Sequence, residues 1–206
     1  MKRRSLSTYL GLIFTLQVVC SPLAVAFAQT PPLKIKTRHH DDPGEEQAKL
    51  QVMRLAQQYN LKKYTITRDI LIERGVIPHS KPTLTLNLRF LDNDDLALSS
   101  YVHEQGHWVL TERGPRMNRP LLDDLLQAFP GLDYRQPNGD GEEIGSYYHI
   151  AVCMLEWQAM EALVGPERAR KTVEWKSHDH YKAIYAIDLA RRPIVEGILM
   201  RNGVRW

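Results

Sequence analysis

The stretch DNDDLALSSYVHEQGHWVLTERGP, residues 92–115, decides how the rest of the chain is read. Asp92 or Asn93 can cap a helix, because a short side-chain oxygen at that place accepts the first free backbone N–H groups. The helix then runs from about Asp94 to Leu110, and Gly114-Pro115 stops it. Inside it stands His103-Glu104-Gln105-Gly106-His107. Positions four apart share one face of a helix, so two imidazoles on adjacent turns can reach one ion. Glu104 lies one step round, where it contacts a metal-bound water instead of the metal. A zinc ion lowers the pKa of such a water to about 7, and a neighbouring carboxylate takes its proton as hydroxide attacks a carbonyl. The pattern points to Zn²⁺ held by His103 and His107, with Glu104 as general base.

Working back from the motif, YTITRDILIE (64–73) and TLTLNLRFL (83–91) carry the β-branched, alternating pattern of strands. Gly75, Pro78 and Pro82 between them fit a turn or longer loop. In the second segment Leu84, Leu86, Leu88 and Phe90 share one face, and Thr85, Asn87 and Arg89 the other. One side is therefore buried and the other meets solvent or substrate. The two segments are read as a small antiparallel sheet preceding the motif helix. Upstream, residues 46–59 have helical spacing at Leu50, Met53, Leu55 and Ala56. Residues 29–45 (QTPPLKIKTRHHDDPGE) are rich in Pro and charge without apolar periodicity, and are read as a mobile leader. His39, His40, Asp41 and Asp42 in it fit a solvated tether better than a metal site.

Residues 1–28 have the three parts of a secretory signal: Lys2, Arg3 and Arg4, then an apolar run from Leu10 to Val19, then Ala26-Phe27-Ala28. The apolar run is shorter than the ~20 residues that span a bilayer, so no stable membrane insertion is expected after cleavage. Cys20 invites a lipoprotein reading, but bulky Val19 stands where a small residue is needed. The charge balance matters here. The full chain of 206 residues carries 27 basic and 24 acidic residues, a formal net charge of +3. All three surplus positive charges lie within residues 1–4, so the remainder is neutral and a nucleic-acid partner is not expected. Without the signal segment only Cys153 remains, placed between Val152 and Met154 as a small core residue. No intramolecular disulfide is then possible, although an exported compartment would permit one.

Towards the C-terminus the chain reads helical, with segments at 120–129, 144–164, 166–175, 179–190 and 193–200. The loop 133–143 (DYRQPNGDGEE) has Asn138, Asp140 and Glu142 but lacks the spacing of a calcium loop. The expected fold is α+β with helices dominant, and residues 46–206 form a single domain.

The motif HEQGH resembles the signature of the zincin metallopeptidases. The metzincin extension requires Gly and His where Leu110 and Arg113 stand, so the likeness is to the gluzincin type. A wider pattern, HEQGHW (103–108), YHIAVCMLEWQAMEAL (148–163) and HYKAIYAIDL (180–189), is similar to small exported bacterial proteins of unassigned function. The resemblance implies a minimal zincin-like fold, a peptide or protein substrate, and a Glu on a later helix as third zinc ligand. Glu156 fits that place. Its helix is apolar almost all round, and a buried carboxylate needs a metal or a cation such as Arg89 or Arg116. His149 is the competitor. Seven residues put the two Cα atoms about 10.5 Å apart along a helix, so one ligates while the other supports the site or meets substrate. His180 and Tyr181 are the candidate catalytic donors to an oxyanion, as His and Tyr are in the gluzincins. Asp123, Asp124, Glu142, Glu143, Glu161 and Asp188 are candidate partners for the histidines' free nitrogens. The alternative to a zinc peptidase of the periplasm or exterior is a non-catalytic zinc-binding envelope protein. Oligomeric state is not legible.

Overall fold

The computed structural model describes residues 32–206, and the expected signal segment 1–28 lies outside them. Three short strands, β1 (Lys34–Thr37), β2 (Asp69–Ile72) and β3 (Leu84–Leu86), form one sheet in the order β1-β2-β3. Five helices follow the same chain: α1 (Pro43–Gln58), α2 (Asp94–Ala128), α3 (Glu143–Val164), α4 (Pro166–Lys176) and α5 (Lys182–Arg201). The fold is α+β and mostly helical. No helix of the described residues is long and apolar enough to cross a membrane.

The sheet corrects one expectation. Both strand pairs are parallel, with Ile70 facing Ile35 on one side and Leu84 on the other. Period-two alternation reports which side chains share a face but is blind to strand direction. Direction is set by the connections, and here α1 carries the chain back between β1 and β2 as a crossover does. The second overturned reading is the mobile leader, since residues 34–37 are strand β1 and helix α1 begins at Pro43. Thr85 also departs from its expected exposed face. It is buried, because His79 covers the β3 edge by exchanging two main-chain hydrogen bonds with it (3.1 and 2.7 Å).

The leader region is tied down by polar contacts that periodicity does not reveal. Asp42 caps α1 through Gly44 and Glu45 N–H, and Arg74 clasps the same carboxylate. Buried Glu45 accepts from the His39 N–H (2.7 Å), the His39 ring (2.9 Å) and the Arg74 N–H (2.9 Å). Burial alone would raise its pKa, but these bonds outweigh it and hold the carboxyl below its usual range. A depressed folded pKa contributes stability that is present above the unfolded value near 4.5 and is lost as pH falls through the folded value. Glu45→Gln is therefore expected to cost about 1–2 kcal/mol at pH 7. Urea denaturation should show the gap from wild type closing by pH 3, and a gap independent of pH would refute the assignment.

Helix α3 is the centre of the molecule. Thirteen of its residues are buried, and α2, α4 and α5 pack around it. Asn93 caps α2 by accepting from Leu96 N–H, as its sequence suggests. Gly114, at φ 74°, breaks α2 into two arms, and the second arm begins at Pro115 instead of Pro120. The two expected C-terminal helices are one element, α5, bent at Arg191 just ahead of Pro193.

Candidate metal centre

The motif occupies the first arm of α2, and its counterpart comes from α3. Ring centroids of His103 and His107 are 5.1 Å apart, those of His107 and His149 4.7 Å, and those of His103 and His149 5.7 Å. One nitrogen from each of the three lies within 4.8 Å of the others, close enough for small ring rotations to place all three on one ion. Gly106 lies where α2 approaches α3. A Cβ there would come within 3.3 Å of a Val152 methyl, so a larger side chain would push α2 off α3.

The tautomers are prepared by carboxylates. The His103 Nδ1–H donates to Glu156 Oε2 (2.8 Å), and the His149 Nδ1–H faces the Gly145 carbonyl (2.9 Å) and Asp140 Oδ2 (3.1 Å). Each ring is left with Nε2 for a metal, the arrangement in which a second partner orients a ligating imidazole. Gly145 is required for this contact, because a Cβ there would collide with the Asp140 carboxylate. Burial pulls the His103 pKa down to about 4 and that of His107 well below its usual value. Both rings are therefore neutral near pH 7 and able to ligate.

Glu156 takes a different place from the expected one. It is fully buried behind His103, and its carboxylate accepts from Lys176 Nζ (2.8 Å), the Tyr185 hydroxyl (2.8 Å), the Ser99 hydroxyl and the His103 ring. Burial opposes its charge, but the Lys176 ammonium and the His103 N–H outweigh that and keep it ionised. Its cationic partner is thus Lys176, not Arg89 or Arg116. His103, Cys153 and Glu156 also form a compact group. Two features disfavour ligation there: the Glu156 oxygens are already committed, and burial pushes the Cys153 thiol far above its usual pKa. The group that contains both motif histidines is completed by His149, while Glu156 meets His103 alone.

Glu104 is nearly buried in the wall of a cavity of about 360 Å³ that His103, Lys176, His180 and Tyr181 also line. Burial raises its pKa to about 8 and no hydrogen bond offsets the effect. The Tyr181 ring lies 4.4 Å from that of His149 and stacks on His103 at 5.9 Å. Its φ of 51° is the only positive value at a non-glycine residue among those described, and such backbone strain gathers at functional sites. His180 is anchored through Nδ1 to Asp179 (2.6 Å), which Arg89 holds with two bonds.

None of the carboxylates expected to support the histidines does so by direct hydrogen bond. Asp123 pairs with Arg119, Asp124 with Arg201 and Glu161 with Arg192. Glu142 and Glu143 start α3, and Asp188 is buried near Cys153 with neither oxygen hydrogen-bonded. The supports that sequence reasoning missed are Asp140, Lys176, Ser99 and Tyr185. Asp140 was visible only as a loop residue, and nothing in the α4 pattern marks its last residue, Lys176, as buried.

The two roles are separable by substitution. His149→Ala is expected to weaken zinc binding by more than the roughly 10–100-fold that loss of an orienting partner costs, while Glu156→Gln stays within that range. Competition with a chromophoric chelator measures both, and the reverse ranking would return Glu156 to the ligand set. In comparisons with known proteins, no family model, curated protein or solved structure matches the chain.

Proposed function

We propose that this protein is an exported zinc-dependent hydrolase of peptide bonds, a small relative in chemistry of the zincin peptidases that its motif resembles. The observation that carries the reading is the place of Glu104, an uncommitted carboxyl that lines the same cavity as His103, whose ring stands with those of His107 and His149. Three imidazoles without a thiolate suit zinc. Zinc, when bound, supplies Lewis acidity that acidifies water and polarises a carbonyl. His103, His107 and His149 would hold it. With the ion in place Glu104 would be ionised, would accept the proton of the attacking water and would pass it to the leaving amine. Tyr181 stays protonated, since burial raises its pKa, and offers its hydroxyl to the developing oxyanion. His180 is the weaker donor. Asp179 favours its charged form, whereas burial and Lys176 oppose it. Export is supported by the basic and apolar pattern of residues 1–28, and the periplasm or the exterior is the expected compartment.

The test is metal analysis with a peptide library. One zinc per chain is expected, with cleavage abolished by chelation and restored by zinc. A chain that binds zinc stoichiometrically and cuts no peptide would establish the second reading, a non-catalytic zinc protein. That reading is favoured by one observation: the three histidines join α2 to α3, so an ion there would also staple two core helices.

A further inference from the structure

The cavity beside the histidines is asymmetric in charge. Among the described residues Glu104 is the only acidic one lining it, whereas Lys176 and Arg89 both contribute to its wall; burial holds the His180 ring below its usual pKa, so it adds no charge. The acids that balance the two permanent cations, Glu156 and Asp179, stand outside that wall. Basic groups therefore face the cavity and their counter-charges lie behind them.

Arg89 is committed. Both ends of its guanidinium bind Asp179, and it lies against the rings of Phe90 (5.3 Å) and Trp175 (5.6 Å). Lys176 is not. Its side chain is 2% exposed, and one of its three N–H donors goes to Glu156 Oε1 at 2.8 Å. Among the described residues no other hydrogen bond to this ammonium is made. Donors held out of water without an acceptor are costly, and Lys176 lines the cavity, through which an acceptor would reach them. The Glu156 carboxylate separates the ammonium from the Nδ1 edge of His103, on the side of the ring opposite Nε2. An oxygen held by Lys176 therefore belongs to a neighbouring part of the substrate and not to the carbonyl under attack.

We propose that Lys176 recognises a carboxylate of the substrate, so that the cavity selects peptides carrying an acidic group next to the bond that is cut. This rests on the reading of the site as a zinc-dependent peptide hydrolase. A carboxylate in the cavity gains charge-assisted hydrogen bonds from a preformed, water-poor donor. The carboxylate can belong to an Asp or Glu side chain or to a free chain terminus.

The test compares binding of glutarate and butyrate to the zinc-loaded full chain by calorimetry. Glutarate, with its second carboxylate, is expected to bind at least tenfold more tightly, and Lys176→Gln should reduce that advantage to less than threefold while Lys176→Arg keeps most of it. Equal affinities in the wild type, or an advantage unchanged in Lys176→Gln, would overturn the proposal. Should Lys176→Gln fail to fold, the pair Lys176→Met with Glu156→Leu, which removes both buried charges, carries the same test at saturating zinc, and an advantage retained there overturns the proposal. Paired peptides then identify the source: amidated peptides with Glu in place of Gln report a side-chain preference, and free-acid against amidated Gln peptides report a terminal one. Cleavage without either preference, together with equal glutarate and butyrate binding, removes the carboxylate site and leaves the hydrolase standing. No cleavage of any peptide removes the hydrolase, while the glutarate ratio still judges Lys176.

Discussion

Glu104→Gln is expected to lower kcat by roughly 10²- to 10⁴-fold, the range that a positioned general base contributes, while zinc binding stays within a few-fold of wild type. The substitution keeps the shape of the side chain and removes its capacity to accept a proton. Little structural cost should accompany it, because no hydrogen bond holds the carboxyl and burial already favours its uncharged form. Thermal denaturation of the metal-free variant at neutral pH should match or exceed the wild type. Parallel assays of turnover and zinc content decide the matter. Full activity with zinc bound would remove Glu104 from the reaction, and loss of zinc would mean that Glu104 helps to hold the ion.

The second large effect is structural. Glu156→Ala would leave the Lys176 ammonium buried without its counter-charge and strip acceptors from His103, Ser99 and Tyr185. Breaking one partner of a buried ion pair typically costs about 3–5 kcal/mol, which lowers the thermal midpoint of a domain this size by on the order of 10 °C. Removing both charges is a different experiment. The pair Glu156→Leu with Lys176→Met should regain most of that stability, because well-packed apolar groups replace buried ion pairs at little cost. Zinc affinity should nevertheless remain down by roughly 10–100-fold, since His103 would still lack the acceptor that fixes its tautomer. Calorimetry and metal competition on the single and double variants test both halves. A double variant with wild-type zinc affinity would show that Glu156 serves the fold alone.

Some of this could be read directly from local chemistry. The Asn93 cap and the motif spacing are short-range signals that appear in α2 where side-chain chemistry places them, whereas the stop expected at Gly114-Pro115 is a kink inside α2. The all-round apolar character of residues 144–164 likewise marked α3 as a buried helix. Strand direction was not readable, because β1 lay in a stretch whose Lys34, Lys36 and Arg38 alternate charge and mask its pairing with β2. Burial of Glu156 demanded a cation or a metal, and both answers satisfied the same electrostatic requirement. The choice turned on Lys176, twenty residues away, at the end of a helix whose overall pattern is polar.

By itself the order of residues determined that two imidazoles and a carboxyl would share one helical segment, because i to i+4 geometry needs no partner. It also determined that α3 would be buried and that Glu156 would need compensation there. The tertiary structure alone decided which third imidazole meets the pair. His149 and Glu156 sit two turns apart on α3, and the approach of α2 at Gly106 sets one of them in front of His103 and the other behind it. That choice is made by the depth and angle at which two helices pack, quantities that depend on side chains distributed over the whole core and not on any local pattern.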